Sequence, residues 1–261
     1  MQISRRITLR GIALPLAVLC GLVAACSPSK TREQAALEFE QGLLAEPGTS
    51  PFWEAVKQEF PEEFAKLVNR GVEAELGGTL SQDQGLALGR EWLTGLESKH
   101  GAAIKFAPEQ SLTKLVHSTV DLIVVFEDRD QQSCAKLALG DSFDTSSMSP
   151  RIQSALQRNK VDRIRAMAGG IKTPVTRTDP MDADFAALFA GMRALGASER
   201  IMDLLTDDRK LAAASPRDQC TIGVILYRAM AQLPNERAAR LGAFMLVPPD
   251  PSQPTGNQPE L

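Results

Sequence analysis

The sequence predicts an all-α protein, a single multi-helix globular domain, and three observations carry that expectation. Helix-start signals recur: Ser50-Pro51, Ser149-Pro150, Asp179-Pro180 and Ser215-Pro216 each place a capping side chain before a proline suited to the first helical position. Apolar residues between these starts repeat every three or four positions, the period of one helix face. No stretch sustains the two-residue alternation of a half-buried strand, and no Asn-Gly or Asp-Gly hairpin signal occurs.

Taken in order after the leader, the segment TREQAALEFEQGLLAE carries one apolar stripe, Ala36, Phe39 and Leu43, on a charged helix. Glu54 follows Ser50-Pro51 within the first turn, where a carboxylate favours the positive end of the helix dipole; Asp182 and Asp218 stand likewise behind later starts. FPEEFAKLVNRGVEAEL supplies Phe60, Phe64, Leu67, Val68 and Val72. SQDQ at 81–84 has the form of a capping box and opens a helix that runs out at His100-Gly101. LVHSTVDLIVVFED at 115–128 is β-branched enough for a buried strand, yet it continues a run begun at PEQSLTK and has no strand partner, so a central buried helix is expected. Later faces comprise Ile152, Ala155, Leu156 and Ile164; then Phe185, Leu188, Phe189, Met192 and Leu195; then Cys220, Val224, Tyr227 and Ala231. Turn-rich GDSFDTSSMS (140–149) and AGGIKTPVTRTD (168–179) read as linkers, and Pro-rich 247–261 as a disordered tail.

The first 25 residues have the layout of an export signal: MQISRRITLR is basic, and GIALPLAVLCGLVAA is apolar but shorter than the roughly 20 residues that span a bilayer. Val23-Ala24-Ala25-Cys26 at its end resembles the lipobox of bacterial lipoproteins. That resemblance implies cleavage before Cys26, acylation (palmitate or a similar chain) of Cys26, and a periplasm-facing protein anchored in the envelope. With Ser27 after the cysteine, it implies the outer membrane. SRRITLR also resembles a degraded twin-arginine signal, with Thr8 where that pattern favours Phe. The divisions expected are a 1–25 signal peptide, a 26–50 lipidated cysteine with tether and first helix, a 51–246 helical domain and the 247–261 tail. Only SPSK separates Cys26 from the first helix, so the tether is short if that helix docks and long if it does not.

Cysteine use follows from the same resemblance. Cys20 leaves with the signal and Cys26 takes lipid, which leaves Cys134 and Cys220 to pair in an oxidising compartment; two separate buried thiols are the alternative. A bridge would span both linkers and tie the helices into one domain. Cleavage removes three of the 29 basic residues and none of the 32 acids, moving the formal charge from −3 to −6. A mildly acidic chain has no general attraction to nucleic acid, so no nucleic-acid partner is expected.

Chemistry-bearing patterns are sparse. His100 and His117 are the only histidines, fall on different helices and match no metal spacing; no metal site is expected. No P-loop, dinucleotide fingerprint or nucleophile elbow occurs, and no cofactor is expected. Glu97-Ser98 resembles the catalytic Glu-Ser pair of lytic transglycosylases, but the downstream Gly-Leu-Met-Gln type of motif is absent and a single tyrosine leaves little glycan-gripping surface. Glu127, Asp128 and Asp130 bracket Arg129 without the ligand register of a calcium loop. RIQSALQRNKVDRIR (151–165) is the one locally basic helix, and Arg151, Arg158, Lys160, Arg163 and Arg165 form a candidate interaction face. Arg237 and Arg240 stand opposite Leu241, Phe244 and Met245 on the last helix. No catalytic residue is assigned. The expected function is a lipid-anchored binding or scaffold module with an envelope protein partner; the alternatives are a wall-glycan enzyme or an inhibitor or immunity lipoprotein.

Overall fold

The computed structural model describes residues 30–46, 48–78, 80–140 and 148–247. Cys26, the leader, most of the 140–149 linker and the tail beyond Val247 lie outside the described residues. No helix among the described residues is long and apolar enough to cross a membrane. Those residues form twelve α-helices, one 3-10 helix and no strand, packed about one hydrophobic core. The helices are α1 (Arg32–Ala45), α2 (Ser50–Glu59), α3 (Pro61–Leu76), α4 (Gln82–His100), α5 (Glu109–Glu127), α6 (Gln131–Leu139), α7 (Pro150–Lys172), α8 (Asp182–Ala194), α9 (Glu199–Leu204), α10 (Asp208–Ala213), α11 (Pro216–Ala231) and α12 (Asn235–Met245). The 3-10 turn spans Gly101–Phe106 between α4 and α5.

α5 is the centre. Its β-branched run forms a helix because every side can be covered: α6, α7, α11 and α12 all pack on it. Leu112, Leu115, Val116, Leu122 and Ile123 are almost wholly buried. The hydroxyls that would be costly in such a place, Ser118 and Thr119, donate back to the Leu115 carbonyl at 3.2 and 2.8 Å. The Cys134–Cys220 disulfide joins α6 to α11 across 86 residues of sequence, with the two Cα atoms 5.1 Å apart. Those helices touch closely enough that a Cβ on Gly223 would stand 2.4 Å from the Ala138 methyl.

α1 is docked. Phe39 lays its ring on Gly71 of α3, where a Cβ would come within 2.3 Å of the ring, and Ala35 and Leu43 are buried beside it. The buried stripe is therefore Ala35, Phe39 and Leu43, with Ala36 only partly covered, one position away from the expected face. Lys30, just before α1, is held by Glu38 and by Glu75 of α3, the latter at 3.0 Å.

Helix starts follow local chemistry in most places. Ser81 and Gln84 form the capping box of α4, Ser149 caps α7 and Ser215 caps α11. Two starts differ from expectation. Thr49, not Ser50, is the α2 cap residue, and Ser50 inside the helix donates to Glu54 at 3.2 Å. Asp179-Pro180 starts nothing; α8 begins at Asp182, and Asp184 reaches back to accept the Met181 N–H at 3.0 Å. The expected linker at 168–179 also begins too early, since Ala168 to Lys172 complete α7. Gly170 is there for contact: a Cβ would lie 1.8 Å from the Ala103 carbonyl oxygen of the 3-10 turn.

Candidate functional site

The basic helix α7 carries two different sets of cations. Arg151, Arg158 and Arg165 are spaced by seven, nearly two turns, so they share one stripe, and all three are exposed. Lys160 and Arg163 do not belong to that face. They are 4% and 5% exposed, which corrects the expectation of five cations on one surface. Lys160 continues the four-residue series Ile152, Leu156, Ile164 and is carried inward with it; Arg163 follows Asn159, also buried.

The inward set is a polar layer inside the core. Arg163 donates through Nε to Glu97 of α4 at 3.2 Å and through Nη1 to the Leu246 carbonyl at 3.2 Å. Asn159 donates to Thr119 at 2.9 Å and to Ser118 at 3.4 Å. Tyr227 of α11 is fully enclosed, and burial pushes its phenol far above its ordinary ionisation range, with Arg163 acting weakly the other way. Lys160 holds its Nζ 5.8 Å from the centre of the Phe52 ring with no hydrogen-bond partner. Burial pushes its pKa down to about 7, with Glu97 opposing. The amine is buried and lines neither groove described below.

The outward set lines two adjoining grooves. Between α5, α7 and α11 lies a cleft of about 450 Å³, floored by Val120, Val124 and Val125 and rimmed by Arg151, Arg158 and Arg228, with Asp121 and Ser154 between them. Between α2 and α7 lies a second groove of about 580 Å³, where Pro51, Ala55 and Val161 meet Arg158, Arg165, Glu54 and Asp162. Ser154 and Arg158 border both, so the exposed ridge of α7 is their shared wall. Arg158 is steadied by Ser154 at 3.0 Å and Asp121 at 3.8 Å. Arg228 was assigned no part by sequence reasoning. Its signal is tertiary, since only the packing of α7 and α11 on α5 brings it to this rim.

The remaining candidates have local duties. Glu97 is ion-paired to Arg163, while Ser98 is exposed. His100 lies 5.1 Å from Phe60, ring centre to ring centre, and burial and then Lys99 push its pKa below the ordinary value. His117 is exposed on α5. Asp130 caps α6, accepting the N–H groups of Gln132 and Ser133 at 3.1 Å each, and hydrogen bonding by Ser133 holds its pKa low. Arg240 turns inward to buried Asp184, at 2.9 and 3.0 Å. Among the described residues no three His, Cys, Asp or Glu side chains gather as a metal-binding group.

Guanidinium groups above apolar floors are an arrangement that can donate charge-assisted hydrogen bonds to an anion. Comparison with known protein families, with curated proteins and with solved structures gives no match to this chain.

Proposed function

We propose that this chain is a lipid-anchored, periplasm-facing binding or scaffold lipoprotein of the bacterial envelope, with the exposed arginine stripe of α7 as its binding face. The observation that carries the proposal is the placement of Arg151, Arg158 and Arg165 along two adjoining grooves, in a chain whose overall charge is negative. A cationic strip on an acidic protein orients an acidic partner and speeds its encounter, while the rest of the surface repels it. Arginine suits the role because its planar fork pairs with carboxylates in two bonds at once.

The docked first helix supports a short leash. Four residue steps separate Cys26 from Lys30, a contour of about 14 Å at full extension. Lys30 is tied to Glu38 and Glu75, and α1 is packed through Phe39, so a lipidated Cys26 keeps the domain body near the membrane surface. Leu76 beside Glu75 is exposed at that end. Such an arrangement suits a subunit of a membrane-proximal assembly.

The test is affinity capture of the full chain from detergent-solubilised envelopes, wild type against Arg151→Glu with Arg158→Glu and Arg165→Glu. A partner that is reproducibly recovered at low salt and lost on charge reversal is the expected result. Identical recoveries from the two chains would contradict it.

A further inference from the structure

The valine-floored cleft between α5, α7 and α11 has a more specific character than the face it belongs to. Among the described residues its three guanidiniums come from two helices, and the one carboxylate in its lining, Asp121, is directed at Arg158. Among the described residues, neither the Arg151 nor the Arg228 side chain has a hydrogen bond or ion pair. Among the described lining residues, three cations stand against one anion, an excess of two positive charges around a space of about 450 Å³. One carboxylate would neutralise only half of that excess and offer two oxygens to three forks. A phosphomonoester carries nearly two negative charges at pH 7 and three peripheral oxygens, so it matches both the charge and the donor number. The exposed parts of Val120 and Val124 give its carbon body an apolar surface to cover.

With the arginine stripe taken as the binding face proposed above, we infer that this cleft is a phosphomonoester subsite in which Arg151, Arg158 and Arg228 hold the phosphoryl oxygens. Arg158 is fixed in advance by Ser154 and Asp121, and the two unpaired arginines close from either side. Asp121 stands 3.8 Å from Arg158 and orients it toward the cleft.

The experiment is isothermal titration calorimetry of the full chain in nonionic detergent micelles, with phenyl phosphate as probe and phenylacetate as the singly charged control. Phenyl phosphate is expected to saturate at one per chain and to bind at least about tenfold tighter than phenylacetate. Arg151→Ala and Arg228→Ala are each expected to weaken it about tenfold or more, the scale of a lost charge-assisted hydrogen bond. Arg209→Ala, on exposed α10 and in the lining of neither groove, is expected to leave it within about twofold. Displacement by phosphatidate in mixed micelles assigns the group to a lipid headgroup, and failure to displace assigns it to a soluble phosphomonoester. Absence of saturable binding, equal binding of phenylacetate, or insensitivity to Arg228→Ala overturns the inference. Partner capture that remains sensitive to α7 charge reversal would then leave the binding-face proposal standing, whereas loss of both would remove it.

Discussion

Replacing Lys160 with methionine tests the polar layer of the core. The side chains are of similar length, so Lys160→Met keeps most of the packing against Phe52 while removing a buried ammonium. The folded chain holds this amine at about 7 against an ordinary 10.5. A lowered lysine binds fewer protons folded than unfolded between those values, so its presence costs stability at low pH and the cost fades as pH rises. At about 1.4 kcal/mol per pH unit, the penalty is about 5 kcal/mol at and below pH 7, about 2 kcal/mol at pH 9, and near zero at 10.5. The variant is therefore expected to be the more stable at pH 7, with an advantage about 3 kcal/mol smaller at pH 9. Urea unfolding followed by circular dichroism at the two pH values measures it, and other titrating groups cancel in the difference between chains. A stability difference that does not change between pH 7 and pH 9 would refute the reasoning, because it would mean that the amine keeps its ordinary proton affinity.

Asp184→Asn strips the charge from a fully buried carboxylate that pairs with Arg240 and accepts the Met181 N–H. A loss of about 3–5 kcal/mol at pH 7 is expected, measured by urea unfolding. Hydrogen bonds from Arg240 hold Asp184 below its ordinary 3.8, so its contribution is complete above that value and the gap between the two chains closes as pH falls through the lower, folded one. Gly71→Ala drives a methyl to within 2.3 Å of the Phe39 ring and is expected to cost about 1–3 kcal/mol and to loosen α1; limited chymotrypsin digestion should then cut at Phe39, where the wild type resists. Joint Cys134→Ala and Cys220→Ala substitution opens an 86-residue loop, for which chain entropy gives a loss of about 4.5 kcal/mol, read as a lowered urea midpoint.

The parts of this fold legible in the sequence are those set by neighbours in the chain. Ser81, Ser149 and Ser215 cap helices because a hydroxyl reaches an N–H three residues on, whatever surrounds it. Asp179-Pro180 has the same form of a capping residue before proline as Ser149-Pro150 and Ser215-Pro216, but no helix follows at once, and α8 is opened by Asp184 reaching backward. Gly169-Gly170 reads as a break because glycine lowers intrinsic helix stability; the structure keeps it helical, and Gly170 stands there because the Ala103 carbonyl leaves no room for a side chain. The pairing of Cys134 with Cys220 was legible from count, once Cys20 and Cys26 are set aside with the leader and its lipobox. The candidate site was half legible. Local charge marked α7, and the seven-residue spacing of Arg151, Arg158 and Arg165 was present to be read. Counting charge could not separate those arginines from Lys160 and Arg163, although the four-residue series through Ile152, Leu156 and Ile164 points Lys160 inward. Arg228 and the valine floor come from other helices, and no local pattern in the sequence joins them to α7.

The most direct measurement places a photo-crosslinking amino acid at Ser154, which borders both grooves and is exposed between Arg151 and Arg158, and a second at exposed Asp208 of α10 as control. Irradiation of intact cells carrying the full chain is then compared with and without Arg151→Glu and Arg165→Glu. A binding face on α7 predicts one discrete adduct from position 154, lost on charge reversal, and none from position 208. No adduct at 154, or one that survives charge reversal, would contradict it.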